Sequence, residues 1–326
     1  MNRFLSDMLV FKDGPIHTRS RSLIGKAFTS KAVVALRPFI QKTVDDRIDA
    51  IRSHGEMEVI EQLALPLPVS VISKMLGIPE ADFPRFKAWT DDFFALLSST
   101  MSAAELVERG HRGVVGLNEY LRDVLEERTL HPGDDLLSLL VHAKEQGKVL
   151  SSDEIVATSA LLLVAGYETT THLIGNGLLA LFEHPDQLQK LRADPELAPG
   201  AVEEFLRYNS AVFQLVRRAR EQVEIDGQVI REGDLVIGLL HAANRDPARF
   251  ADADRLDITR KDNYHVGFGY GPHICVGAPI ARMETRIAIN TMLQRLPEIA
   301  LANTSLEWST NFVIRGVRAL PVTFRS

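Results

Sequence analysis

The most distinctive chemical setting in the chain belongs to Cys275, the only cysteine among its 326 residues. Cys275 lies in a glycine-rich segment, residues 268–277, directly before a predicted helix that begins at Ala278. Glycines permit tight turns and close backbone approach to a ligand. A thiolate before a helix N-terminus is stabilised by the helix dipole and by free N–H groups. The setting therefore favours a thiolate metal ligand, although a lone cysteine beside a glycine turn is more often a small buried core residue.

A second candidate site interrupts a long apolar segment with Gly166, Glu168 and Thr169. A glycine inside a helix costs up to ~1 kcal/mol relative to alanine, so its presence needs a reason. One interpretation is a kink with a solvated glutamate. The other is a functional acid and alcohol placed on a core helix.

Two charged pairs have helical spacing. Glu204 and Arg207 lie three residues apart on one helix face, where such a pair is commonly a surface ion pair worth a few tenths of a kcal/mol. His17 and Arg21 lie one turn apart on the same face of an earlier helix. Taken alone, the second pair is also consistent with a solvated basic helix.

Most of the segments that must position these residues are predicted to be helical. Apolar residues at three- and four-residue spacing predict helices over 15–28, 31–54, 63–76, 81–98 and 103–128. Ser151 and Glu154 match a capping box, and the helix they open extends to Glu183 before a His-Pro sequence. At 1.5 Å per residue it is roughly 50 Å long, so it must pass through a core.

Strand signals come late in the chain. Two alternating segments flank a turn near Asp226 and Gly227 and predict a hairpin. A short buried strand or a bend is expected at 235–240, further strands are expected at 312–314 and 321–324, and helix returns at 278–296. This order predicts a mainly α (α+β) fold with a small β-rich region, built as a single domain over residues 1–326.

Composition excludes several classes of protein. Hydrophobic residues make up 45% of the chain and charged residues 25%, which is typical of a soluble globular protein. The net charge of −6 does not favour nucleic-acid binding. The N-terminus lacks an export signal, and no apolar run is long enough to span a bilayer, so we expect a cytoplasmic protein with no membrane contact.

The cysteine segment has the pattern F-x-x-G-x-x-x-C-x-G, which resembles the haem-ligating signature of cytochrome P450. The resemblance extends from about residue 11 to residue 324 and implies the fold of that family with haem b as cofactor. It implies that Cys275 is the axial iron ligand, which favours O–O cleavage. It also assigns Phe268, Gly271, His273 and Gly277 to the cofactor site, with His273 contacting a propionate and Phe268 near the sulfur.

The same resemblance implies roles for the other groupings. Glu168 and Thr169 are the acid–alcohol pair that relays protons during oxygen activation, on a helix that opens locally at Gly166. His17 and Arg21 hold a haem propionate, and Arg217 is a further candidate. Glu204, Arg207 and a third partner, Arg255, are structural. By position in the family, the residues facing the substrate are Leu162, Ala165, Val212, Phe213, Phe312 and Val313.

The expected function is that of a bacterial-type haem-thiolate monooxygenase. It inserts one oxygen atom of O2 into a hydrophobic organic substrate, by hydroxylation or epoxidation, in secondary metabolism or catabolism. A separate ferredoxin or flavodoxin is expected to supply electrons. The basic first forty residues, including Arg19 and Lys26, suit an acidic donor. Two alternatives remain: a catalytically silent auxiliary binding protein and a peroxide-driven peroxygenase.

Family members normally carry an opening helix, the first strands of a sheet and a substrate-covering loop before the segment that corresponds to residues 15–28. In this sequence that segment begins fifteen residues from Met1. We therefore expect wide access to the distal side of the pocket, or another chain or a rearranged loop covering it.

Overall fold

The computed structural model describes residues 2–95, 103–142, 150–311 and 313–325. Helices dominate these ranges. The α-helices are α1 (Asn2–Asp7), α2 (Gly14–Gly25), α3 (Ser30–Ile51), α4 (Pro66–Leu76), α5 (Phe83–Ala95), α6 (Ala103–Leu130), α7 (Leu136–His142), α8 (Ser152–Glu183), α9 (Pro185–Ala193), α10 (Ala198–Tyr208), α11 (Leu240–Ala243) and α12 (Ala278–Arg295).

The strands are short. They are β1 (Glu56–Glu58), β2 (Leu215–Arg218), β3 (Val223–Ile225), β4 (Gln228–Ile230), β5 (Leu235–Gly238), β6 (Ala300–Leu301) and β7 (Pro321–Thr323). Within the described ranges they form one three-stranded sheet in the order β1-β7-β6 and two two-stranded sheets, β2-β5 and β3-β4, and all these pairs are antiparallel. The prediction of a sheet confined to the late part of the chain is wrong in one respect, because β1 is an early strand that pairs with β7.

Helix α8 is the central element of the molecule. It begins with the predicted capping box, in which the Ser151 hydroxyl accepts from the Glu154 N–H and the Glu154 carboxylate accepts from the Ser151 N–H. Its first half contributes Leu163 to one hydrophobic core, around α5, α6 and α7. Its second half contributes Leu178 to another, around α3, α10 and α12. One helix therefore ties the two cores together.

Most of the predicted helices are present with end shifts of a few residues. The helix expected over 63–76 is divided, because residues 60–64 form a wider π-helical turn and α4 begins at Pro66. The last part of the helix expected over 81–98 lies outside the described residues. Helices α1, α7, α9 and α11 were not predicted, because each is shorter than ten residues and carries few periods of an apolar pattern. The helix expected to carry Glu204 and Arg207 is α10.

The predicted hairpin is β3-β4. Its two turn residues, Asp226 and Gly227, have φ angles of +49° and +76°. Positive φ at both central positions is the requirement of a type I′ turn, which is why Asp-Gly indicates a hairpin. The segment expected as a strand near residue 313 is reduced to an isolated bridge between Val212 and Ile314.

The prediction of a mainly α fold with a small β-rich region is confirmed. Within the described ranges, no helix has both the length and the apolar character that crossing a lipid bilayer requires.

Candidate active site

A cavity of about 340 Å³ lies between α4, α8, the start of β2 and the segment that carries Cys275. Its lining is mainly apolar and includes Ile72 of α4, Leu162 and Ala165 of α8, and Val212. Cys275 contributes to the same lining. The cavity has the size and character of a small-molecule site, with few polar groups among apolar walls.

The cysteine segment is held by its own backbone. Gly269 and Gly271 both have φ angles of +75°, which non-glycine residues rarely adopt. The Cys275 N–H donates to the Phe268 carbonyl at 2.9 Å, and the Arg21 guanidinium donates to the Ile274 carbonyl. These contacts fix the segment as a tight loop at the N-terminus of α12.

Cys275 is accessible from the cavity but has protein on its other sides. This burial raises the pKa of its thiol. The N–H groups of Gly277 and Ala278 and the charges of Arg21 and Arg282 act in the opposite direction. The thiolate-stabilising groups that the sequence predicted at the helix N-terminus are therefore present.

Two histidines and an aspartate meet beside this loop. The ring centroids of His17 and His273 are 4.2 Å apart, and His273 Nε2 lies 3.1 Å from Asp13 Oδ1. His17 is only 4% exposed, and its Nε2 has no hydrogen-bond partner among the described residues. Burial is the main cause that lowers the pKa of His17, and the positive charges of His273 and Arg21 lower it further. Arg217 lines the cavity and donates to the carbonyl of its own neighbour.

On α8, the acid and the alcohol face different surroundings. Thr169 lines the cavity, and its hydroxyl donates to the Ala165 carbonyl at 3.1 Å. Glu168 is largely buried against α5, where burial and the Asp91 carboxylate raise its pKa to about 7 and Lys87 opposes the shift. Glu168 Oε2 has no hydrogen-bond partner in the described part of the chain.

The local opening expected at Gly166 is not present, because α8 remains α-helical from Ser152 to Glu183. The glycine at position 166 is explained by packing instead. A Cβ at this position would lie 3.1 Å from Ile72 Cγ1, so the absence of a side chain allows α4 to approach α8 closely.

Glu204 and Arg207 form a fully buried ion pair, with side chains 0% exposed and two N···O distances of 2.8 Å. The assignment of Arg255 as the third charged partner is wrong. Arg260 Nε lies 3.2 Å from Glu204 Oε2, whereas Arg255 contributes its main-chain carbonyl, which accepts from Arg207 at 3.0 Å. The chain turns between residues 255 and 260, which places the later arginine over the carboxylate.

The predicted substrate-facing residues divide into two groups. Leu162, Ala165 and Val212 line the cavity. Phe213 and Val313 do not line it. The Phe213 ring stacks on His241 at 5.7 Å instead, and Phe312 lies outside the described residues.

Four residues near the site were missed by sequence reasoning. Asp13 precedes α2 as its N-cap residue, and Arg282 and Glu284 lie on the first turns of α12 after the cysteine. Glu284 lines the cavity and is buried, which raises the pKa of its carboxyl well above its usual range. The closeness of Arg282 and Glu284 to Cys275 along the chain, at the start of the predicted helix, could have indicated both residues. No sequence signal indicated Arg260.

An apolar cavity closed by a thiol at a helix N-terminus, beside histidine and arginine side chains, is the arrangement of a haem-thiolate protein. The family model of cytochrome P450 matches residues 1–300. The chain belongs to this family.

Similar proteins match nearly the whole chain. Cytochrome P450 107B1 of Saccharopolyspora erythraea is 44% identical over 313 residues, covering 95% of this chain and 75% of the relative. The biotin biosynthesis cytochrome P450 of Bacillus subtilis is 40% identical over 319 residues, covering 98% of this chain and 80% of the relative. A crystal structure of P450BioI in complex with an acyl carrier protein that carries hexadec-9Z-enoic acid superposes with a TM-score of 0.94 at 40% identity, covering 98% of this chain and 82% of that chain.

The family uses haem b, and the residues present fit this group. The one thiol of the chain opens into an apolar cavity, and His17 Nε2 is a buried nitrogen without a partner among the described residues. Arg21 at the cysteine loop and Arg217 in the cavity lining add the positive charge that the carboxylate side groups of haem require. When bound through a thiolate, haem supplies the activation of O2.

Proposed function

We propose that this cytochrome P450 monooxygenase binds haem through the Cys275 thiolate and hydroxylates or epoxidises a hydrophobic substrate in the cavity beside it. The observation that carries the proposal is the position of Cys275, which is the only cysteine and lines an apolar cavity at the N-terminus of α12. No other residue can supply a thiolate to the iron.

The test of the ligand is the carbon-monoxide difference spectrum of the reduced protein. Cys275→Ser should abolish the Soret band that thiolate ligation produces, and Val276→Ala, at the neighbouring lining residue, should retain it. A serine variant that keeps the band would refute the assignment.

We assign the binding of the haem propionates to His17, Arg21, Arg217 and His273. The contact of His17 with His273 and the bond from Arg21 to Ile274 support this assignment, because both join α2 to the cysteine loop. Phe268, Gly271 and Gly277 complete the loop. His17→Ala should lower the retention of haem during gel filtration, while Arg220→Ala, at an exposed arginine 4.0 Å from Asp13, serves as a control of similar location.

We also assign proton delivery to Glu168 and Thr169. Thr169 holds a hydroxyl at the cavity wall, and the raised pKa of Glu168 keeps a carboxylic acid partly protonated near neutral pH. Thr169→Ala should retain haem but form less product per NAD(P)H consumed, and Thr169→Ser should restore the yield. An unchanged yield in the alanine variant would remove Thr169 from the mechanism.

The substrate class is a large hydrophobic molecule. The apolar lining supports it, and so do the ligands of similar structures. CYP267B1 was solved with myristic acid, at a TM-score of 0.93 and 41% identity, and CYP109E1 with testosterone, at a TM-score of 0.89 and 35% identity. Myristic acid and testosterone should therefore shift the Soret band on binding, and Leu162→Asp should weaken both shifts. Tight binding of polar metabolites instead would contradict this class.

We propose a ferredoxin or flavodoxin as electron donor and a cytoplasmic location, where such donors and a reduced thiol are maintained. The earlier expectation for Arg19 needs correction, because its guanidinium binds Glu154 at 2.6 Å and is mostly buried. A groove between α3 and α12 instead presents Arg37 and Arg286, for which no acidic partner occurs among the described residues. Asp45 also lines this groove, but its carboxylate binds Arg295 at 2.7 Å.

The donor proposal predicts that electron transfer slows as salt rises, because salt screens attraction to an acidic partner. Arg286→Glu should slow reduction by an acidic ferredoxin several-fold at low salt, and Lys190→Glu on α9 should not. Turnover with peroxide but not with the ferredoxin would identify a peroxygenase, and no turnover with either would favour an auxiliary binding protein.

A further inference from the structure

A cluster of three charged or titratable side chains lies behind the cysteine loop. Arg282 of α12 and Glu203 of α10 form a two-point ion pair, with N···O distances of 2.7 and 2.8 Å. His265 Nε2 lies 3.1 Å from the same carboxylate, and the His265 side chain is only 4% exposed. The cluster thus joins α10, α12 and the segment that leads into the loop.

The cluster contacts the loop at two successive residues. The Arg282 guanidinium carbon lies 4.6 Å from the centroid of the Phe268 ring, and the Gly267 N–H donates to His265 Nδ1 at 3.0 Å. Phe268 in turn lines the cavity and accepts the Cys275 N–H through its carbonyl. A continuous set of contacts therefore runs from Glu203 to the cysteine.

The two charges of the pair are not equivalent toward the cysteine. Arg282 contacts Phe268 of the loop, whereas Glu203 lies behind it on α10 and binds Arg282 and His265. These two partners keep Glu203 ionised, since they lower its pKa to about 2 despite its burial. Near neutral pH the loop therefore has a fixed cation against Phe268, partly balanced by a fixed anion behind it.

We propose that Arg282 is a positioning residue that raises the electron affinity of the iron ligated by Cys275, and that Glu203 moderates this effect as its counter-charge. The physical reason is that a cation near the thiolate favours the reduced state, which carries one more negative charge. His265 orients the carboxylate and fixes the backbone at Gly267. The inference rests on the proposed ligation by Cys275.

The test is the reduction potential of the haem-loaded protein and its variants. Arg282→Met should lower the reduction potential. The expected decrease in the equilibrium constant for reduction is up to about tenfold, which corresponds to 59 mV for a one-electron couple. Glu203→Gln should shift it in the opposite direction, because the cation loses its counter-charge. Arg282→Lys should keep the potential close to that of the parent protein.

Arg295→Met is the matched control. Arg295 is also an ion-paired arginine of α12, bound to Asp45 at 2.7 Å, but it lies at the opposite end of the helix from Cys275. Its loss should leave the potential unchanged. Equal potentials in all variants, or shifts of the same sign for Arg282→Met and Glu203→Gln, would overturn the inference and indicate a purely structural pair.

The carbon-monoxide spectrum separates this outcome from failure of the proposed function. If the thiolate Soret band is absent from the parent protein, the ligation proposal fails. If the band is present in every variant and the potentials do not diverge, only the role of Arg282 and Glu203 fails. If Arg282→Met does not fold, the other two variants still test the role of the pair. The inference then requires a higher potential in Glu203→Gln and an unchanged potential in Arg282→Lys.

Discussion

At the scale of single residues, Glu168 shows how a helix position changes the chemistry of a side chain. The same carboxyl on a solvated face would be ionised at neutral pH. Here it is buried against α5 and lies near another carboxylate, Asp91, so its protonated form is favoured. An acid in this state can donate a proton near pH 7.

The raised pKa of Glu168 predicts a pH-dependent stability. The folded protein holds this proton more tightly than the unfolded chain, since burial raises the pKa from 4.5 to about 7. The stability associated with Glu168 is therefore fully present below pH 4.5 and is lost as pH rises through 7. Relative to the parent protein, Glu168→Gln should become more stable by up to about 3 kcal/mol between pH 5 and pH 8.

Urea unfolding of the parent protein and the Glu168→Gln variant at both pH values measures this difference. An equal difference in the free energy of unfolding at pH 5 and pH 8 would show that Glu168 titrates normally. The variant Glu224→Gln, at an exposed acid of β3, is the control.

At the scale of elements, close approach to α8 depends on residues that lack a side chain. A Cβ on Gly316 would lie 2.0 Å from His172 Nδ1 on α8. Gly316→Ala should therefore lower the free energy of unfolding by about 1–3 kcal/mol, the range for overpacking a filled core. Gly25→Ala is the control, since a Cβ there meets nothing within 4 Å and an alanine in a helix is favourable. Thermal unfolding that ranks the two variants equally would contradict this account.

The buried pair on α10 predicts a larger effect. Arg207 donates to the carbonyls of Asn244, Ala253 and Arg255 as well as to Glu204, so it joins α10 to the chain around residues 244–255. Arg207→Met should cost about 3–5 kcal/mol, because it leaves buried acceptors and a buried charge with fewer partners.

The exposed pair of Arg249 and Asp262 is the comparison, because water screens this pair and Arg249→Met should destabilise the protein far less than Arg207→Met. Denaturant midpoints of the two variants measure the contrast. Similar midpoints would mean that Arg207 makes no larger contribution than a surface arginine.

At the scale of the whole molecule, we propose that residues 1–326 form one cooperative unit. Helix α8 supplies residues to both hydrophobic cores, and each core has its own tryptophan. Trp89 packs against the core around α5 and α6, and Trp308 packs against the core around α3 and α12. The chain has only these two tryptophans, so each core can be observed separately.

In Trp308→Phe the remaining tryptophan is Trp89, and in Trp89→Phe it is Trp308, so the fluorescence of each variant follows one core. The proposal predicts that both cores unfold at the same denaturant concentration, after correction for the stability of each variant. Helical circular dichroism of each variant supplies that correction. A fluorescence midpoint that departs from the circular dichroism midpoint in either variant would show that the cores unfold separately.

The sequence by itself determined the elements that obey local rules. The capping box set the start of α8, the Asp-Gly turn set the β3-β4 hairpin, and the pattern around Cys275 indicated the loop and the family. In each case the determining residues lie within about ten positions of one another. Their hydrogen bonds and backbone angles therefore depend little on the rest of the chain.

Only the tertiary structure decided which distant side chains meet. Arg260, and not Arg255, reaches Glu204 across 56 residues, and Asp13 reaches His273 across 260. The inward position of Val212 and the pairing of β1 with β7 have the same origin. Such contacts depend on how the intervening chain turns and on which side chain lies nearest once the cores are packed. No pattern of neighbouring residues carries that information.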